Sequence, residues 1–371
     1  MKTMKTMKTM KKISLFLFFS LMSLTVFSQG FEWNEEINQK VKTSIPEIDF
    51  SKTRSYLPSN SSLERYLPEY VHSQGETAMC VAYSLANCRT IIYSKNKRIS
   101  DKDKILANSF SPFFLYYQSK KSSDYQCDQG LDPIAAILYL RDKGIAKLID
   151  VEYPDYWPFT DKQLCTYYPP SYSGDMVDAY KYRIDEPQVV KSDAADNDKI
   201  LGLKDAISSG KPIFFGMNPF PKSLWASFGK DFWKPSISVD CIAKGSNGYQ
   251  CGVDVQYDAY CSQHKYLGSG GSLGHAMTII AYDDYKYGGA FQILNSYGKS
   301  WGNDGKIWIR YTDVLDYSVM FVSISRKYEE SSFGALMSKN IFSEEDSTQQ
   351  LASPEFINLD LEPPFSKVIL E

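Results

Sequence analysis

The 371-residue sequence predicts an α+β fold in two subdomains. Two observations carry this. Stretches whose apolar residues recur at helical spacing come first, and short runs rich in β-branched and aromatic residues come later. Helices and strands separated in this way point to α+β rather than an alternating α/β order. Aromatic residues make up 15% of the chain, enough for one large core or for two halves sharing a cleft.

The chain opens on "MKTMKTMKTMKK", which is basic and free of acid, and continues into a 15-residue, largely apolar run, Ile13 to Phe27. Small Ser28 follows. Basic, apolar, small is the order of a secretory signal peptide, so residues 1–28 are expected to be removed near Ser28. The run is shorter than the roughly 20 residues of a membrane span. The expected location is therefore secreted or periplasmic, with no membrane association after leader removal. Residues 29–62 are polar and contain loop material such as "LPSNSS". They are expected to be a short pro-segment or linker.

From Leu63 the sequence becomes globular, and residues 63–326 are expected to form one domain. In "CVAYSLANCRTIIYSK", Val81, Leu85, Cys88 and Ile92 lie on one helical face. "LDPIAAILYLRDKG" places Pro133 in a first helical turn and Gly144 at a helix end. "DNDKILGLKDAISSGKP" is a third helix, stopped by Gly210 and Pro212. The strand runs then follow: "IFFGM", "HAMTIIAY", "AFQILNSY", "KIWIRY" and "VMFVSIS", with turn chemistry in "DDYKYGG" and "GNDG" between them. A loop-rich insertion, Asn218 to Gly274, holds three of the seven cysteines. Residues 327–371 form a tail with nine acids and three bases.

Charge excludes some classes of function. The chain carries 41 basic and 44 acidic residues; without the five leader lysines the excess is eight acids, six of them in the tail. No basic stripe of a nucleic-acid binder is present. Cys241, Cys251, Cys261 and His264 match no common zinc spacing, so the expectation is disulfides or free thiols and no metal. No cofactor is expected, and the protein is expected to be a monomer. Cys88 lies about 12 Å along the helix from Cys80, beyond disulfide reach, and reads as a core thiol.

Cysteine catalysis needs a thiolate, a base, a group that orients the base, and donors for an oxyanion. Cys80 stands at a predicted helix N-terminus, where the dipole favours a negative sulfur. Its own N–H is one of the unpaired first-turn donors, and Gln74 offers a second. Of three histidines, His275 at the start of "HAMTIIAY" is the best base. A hairpin through "DDYKYGG" brings Asn295 beside it, where a carboxamide fixes the imidazole tautomer. Cys80 and His275 are expected to rest as a thiolate–imidazolium pair.

The blocks "QGETAMCVAYS", "GHAMTIIAYDD" and "NSYGKSWGNDGKIWIRY" resemble the three signature blocks of papain-like cysteine peptidases, in the order Gln, Cys, His, Asn. "SPFFLYY" and "CDQGLDP" add to the likeness, which is nearest the secreted bacterial branch. The resemblance implies a helical left subdomain led by Cys80, a β-barrel-like right subdomain carrying His275 and Asn295, and an active site in the cleft between. It implies hydrolysis of a peptide or protein substrate through a thioester. It also implies that Gly130, Leu131, Gly216 and Gly274 line the substrate site and prefer a bulky apolar or aromatic residue. The chain departs from the pattern in several places. Thr77 stands where a half-cystine normally pairs with the position of Cys127, so the resemblance leaves Cys127–Cys165 as the implied bridge. Val81 replaces an aromatic, and Tyr297 replaces the Trp that covers the Asn–His bond, while Trp301 is kept. No long helical propeptide is present. The other readings are an inactive papain-like protein that binds peptides or acts as a scaffold, and a peptide ligase.

Overall fold

The computed structural model describes residues 30–326, apart from 55, 70, 71, 76, 152–178, 219, 236–240, 245–247 and 252–273; for 222, 241–244 and 248–251 only the backbone is described. The leader, the acidic tail, Cys165, Cys261 and His264 lie outside these residues. The fold is mixed α+β, with a helical part and a large sheet. No helix among the described residues is long and apolar enough to cross a membrane.

The stretch read as linker opens with a helix, α1 (Glu35–Ser44). Asn34 caps it by accepting from the Ile37 N–H at 2.8 Å, and Glu35 and Glu36 sit in the first turn where the dipole favours them. Ile37 and Val41, four apart, are its buried residues. They were hidden in the sequence because the other positions are charged or polar, so the mean composition reads as a loop. The chain then reaches β1 (Asn60–Ser62).

The helical part follows. α2 (Cys80–Asn96) is buried almost all round, as a central helix must be. α3 (Lys102–Ala107) is short. α4 (Pro112–Ser119) and α5 (Pro133–Asp142) both begin with Pro at the first position, behind caps Ser111 and Asp132. The Asp132 carboxylate also meets Lys40 of α1 at 3.3 Å.

Next come β2 (Gln188–Val189), α6 (Asp196–Ser208), β3 (Ile213–Met217), α7 (Lys222–Trp225) and β4 (Phe232–Trp233). β5 (Cys241–Lys244) and β6 (Gly248–Cys251) pair with each other inside the expected insertion. β7 (His275–Asp283), β8 (Ala290–Leu294), β9 (Lys306–Arg310), α8 (Tyr311–Tyr317) and β10 (Ser318–Ser323) complete the described chain. The sheet runs β2-β10-β3-β7-β8-β9-β4, with β1 beside β7.

β3 and β7 are buried on both faces, and alternation splits their side chains between two cores. Phe214 and Ala276 face the core shared with α2, α4 and α5. Ile213, Phe215, Met217, Met277 and Ile279 face a second core with Leu203, Ile207 and Trp301. Central α2 lies against β7, where the Ser84 hydroxyl donates to the Met277 carbonyl at 2.8 Å. That contact brings the start of α2 to the start of β7.

Candidate active site

Cys80 is the first residue of α2, and no side chain caps this end. The approach to it is built from hydrogen bonds. Gln74 N–H donates to Ser296 O at 2.8 Å, and the Thr77 hydroxyl donates to Gln74 O at 2.6 Å. Ala78 N–H donates to Cys127 O at 2.9 Å. Gly75 turns the chain at φ 62°.

His275 opens β7, opposite Met217 of β3. Asn295 follows β8, and its side-chain Oδ1 lies 2.6 Å from His275 Nε2. Asn295 Oδ1 also accepts from the Ser296 N–H at 2.7 Å, which fixes the carboxamide so that its oxygen faces the ring. The ring therefore donates from Nε2. The Tyr297 hydroxyl stands 3.3 Å from the other nitrogen, Nδ1, and the two rings tilt at 31° with centroids 4.6 Å apart. Trp301 meets Tyr297 edge-on. Phe220, which the sequence did not single out, lies with its ring centroid 4.6 Å from that of His275.

The Gln74 carboxamide is buried beside this group. Its Nε2 donates to Thr77 O at 2.7 Å, and its Oε1 accepts from the Ser296 hydroxyl. One amide N–H is thus spent on the loop that leads to Cys80.

Cys80 is fully buried, and Gly30 lies directly against its sulfur. Gly30 N–H donates to Cys80 Sγ at 3.3 Å, as does Ala276 N–H at 3.4 Å. Among the described residues no hydrogen bond joins Cys80 to His275. Burial pushes the Cys80 thiol up to about 11, against the pull of the Ala276 and Gly30 N–H groups. Burial also pushes His275 down to about 4, against the opposing Asn295 bond. Burial thus disfavours the charged form of both groups, against the expected thiolate–imidazolium pair.

Residues 30–33 form a strap that bridges two walls. Phe31 N–H donates to Gly274 O at 3.0 Å, and Gly274 N–H returns a bond to Phe31 O at 2.7 Å. Leu131 N–H donates to Gly30 O at 2.9 Å, and Glu32 N–H donates to Leu131 O at 3.2 Å. The strap runs antiparallel to Gly274 and parallel to Leu131. Phe31 is fully buried and stacks on Trp33 at 5.8 Å. A Cβ at Gly216 would come within 2.2 Å of the Phe31 ring, and one at Gly130 within 2.5 Å of Gly30 O. The four positions assigned to substrate, Gly130, Leu131, Gly216 and Gly274, thus all touch the chain's own strap. Two aromatics in a polar stretch, "FEW", were the only sequence signal for it.

Cys88 is a buried free thiol, 3.9 Å from the Thr278 hydroxyl. Cys127 is disulfide-bonded. Its proposed partner, Cys165, lies outside the described residues.

No protein-family model matches the chain, and no curated protein matches it by sequence. Solved structures do match. The fold is that of papain-like cysteine proteases. The chain is similar to xylellain, a cysteine protease from Xylella fastidiosa, with TM-score 0.52 and 20% identity over 83% of this chain and 100% of that one. It is also similar to procathepsin L2 of Tenebrio molitor larval midgut, with TM-score 0.54 and 13% identity over 82% of this chain and 80% of that one. Procathepsin B S9 of Trypanosoma congolense gives TM-score 0.51 and 14% identity over 81% and 87% of the two chains.

Proposed function

We propose that this chain is an exported papain-like cysteine peptidase captured in a latent state. The observation that carries the reading is the 2.6 Å His275–Asn295 bond beside a helix-terminal Cys80 whose substrate wall is filled by residues 30–33. Two of the fold neighbours are pro-enzymes by name, which supports latency. The two subdomains take the helical and barrel-like roles, with the cleft between them, and the leader directs export.

Once the strap leaves, water re-enters and the Cys80 proton passes to His275. Cys80 Sγ attacks a peptide carbonyl, and Cys80 N–H with Gln74 stabilises the oxyanion. His275 gives its proton to the leaving amine, and water cleaves the thioester. Tyr297 and Trp301 shield the His275–Asn295 bond. Gln74→Ala is expected to lower kcat about 10²–10³-fold with little change in KM. The pocket that holds Phe31 favours substrates with an apolar or aromatic residue there.

The test is an epoxysuccinyl thiol reagent followed by mass mapping. Phe31→Asp would place a charge in an apolar pocket and eject the strap. Cys80 of that variant is labelled, the wild type is labelled slowly, and adding His275→Ala abolishes labelling. A folded Phe31→Asp protein that stays unlabelled favours the second reading, an inactive peptide-binding protein. That reading draws on the extended segment that the cleft holds uncut.

A further inference from the structure

We propose that Tyr116 and Asp124 are positioning residues that hold the peptide-binding wall at Gly130–Leu131. The inference rests on the peptidase reading and assigns two residues that take no part in its chemistry.

The wall needs holding. Cys127 and Gly130 both adopt positive φ, 55° and 75°, and the first is a strained choice for a residue with a side chain. A loop of this shape keeps its form only when its surroundings over-determine it. The support comes from below. Tyr116, on α4, is fully buried, and so is Asp124. The Tyr116 hydroxyl donates to Asp124 Oδ2 at 2.6 Å, and the Gly130 backbone N–H lies near enough to pull the phenol's pKa down. The other carboxylate oxygen, Oδ1, accepts from the Asp128 N–H at 3.2 Å. One buried pair therefore grips the loop at residue 128 and lies against it at residue 130.

The geometry has a directional consequence. With the Gly130 N–H turned toward Tyr116, the next peptide unit presents the Leu131 N–H to the cleft. There it meets Gly30 O, and Leu131 O meets the Glu32 N–H. Burial and the Asp124 carboxylate raise the Tyr116 pKa, so the phenol stays a donor at any working pH. The opposite rim of the loop, Cys127 O, holds the Ala78 N–H two residues before Cys80. Substrate backbone and nucleophile are thus referenced to the same loop.

The strap is a built-in ligand of this wall, so access to Cys80 in the full-length protein reports the grip. The measurement is the iodoacetamide alkylation rate of Cys80 and Cys88, read by peptide mass mapping. Loss of one hydrogen bond at each variant predicts about five- to tenfold faster Cys80 alkylation in Tyr116→Phe and in Asp124→Asn, with Cys88 unreacted. Tyr125→Phe, an exposed neighbour, sets the baseline. A Cys80 rate at baseline in either folded variant overturns the proposal. So does a parallel rise at Cys88, which would mean general loosening. Should Tyr116→Phe not fold, Asp124→Asn carries the test. The readout is thiol access, so a protein without peptidase activity still answers it. Failure of the peptidase reading shows separately, as absence of peptide hydrolysis.

Discussion

The strap and the β7–β8 hairpin both end at Cys80, and they are held there in different ways. The hairpin is part of a ladder, paired by β3 on one side and β9 on the other, with buried side chains on both faces. The strap has four backbone bonds to two walls, one to the sulfur, and a single fully buried ring, Phe31. From these contacts the hairpin is expected to open only with global unfolding and the strap locally. On the proposed latent state, the site has one permanent wall and one removable occupant.

The sharpest way to break this comparison is at the permanent side. His275→Ala in a strap-ejected background is expected to lower peptide hydrolysis by about 10⁴-fold or more without unfolding, because the base and its tautomer are lost together. Retained turnover would remove His275 from the mechanism. Phe31→Ala acts on the removable side. Truncating a buried Phe costs about 3–5 kcal/mol, and if the loss falls on the closed state alone, Cys80 alkylation rises by about 10²-fold to several thousandfold. An equal fall in global stability would mean that the strap is part of the core.

Acid is the third probe. His275 lies at about 4 in the closed site against an ordinary 6.5. A base whose folded pKa is depressed stabilises the closed form above its free value, and that stability drains as pH falls from 6.5 toward 4. The full loss is on the order of 3 kcal/mol, so Cys80 alkylation, corrected for intrinsic thiol reactivity, rises over that window. At the other end Cys80, raised to about 11 from 9.0, weakens the closed state as pH climbs above 9. A closed state insensitive to acid would mean that His275 is not exposed when the strap opens. The smallest effect belongs to Lys121, whose pair with Glu32 at 2.8 Å is partly exposed. Lys121→Ala should change strap opening by no more than about fivefold, as expected of a surface ion pair.

Legibility followed the same division. The elements α2, α5, α6 and the strands β3 and β7–β10 showed their periods plainly, because each buries a continuous face. The pairing of His275 with Asn295 followed from hairpin connectivity, which is local. α1 was missed because two buried aliphatics among charges give a weak signal. The strap was missed for a different reason: its bonds run to residues 50 or more positions away and start from the backbone, which sequence does not display. The burial that opposes charge on Cys80 and His275 was hidden on the same account, since it depends on segments distant in sequence. The roles of Gln74 and the substrate-lining positions rest on resemblance and geometry together.

Gly30 has one more consequence. A Cβ at this position would lie 1.7 Å from Ala78 O, so only a hydrogen atom passes that point. The strap is therefore indexed like a thread with a single thin section. Sliding it by one residue in either direction would bring a side chain into the narrows and lift Phe31 out of its socket. Slipped positions are forbidden, so the strap seats in a single register.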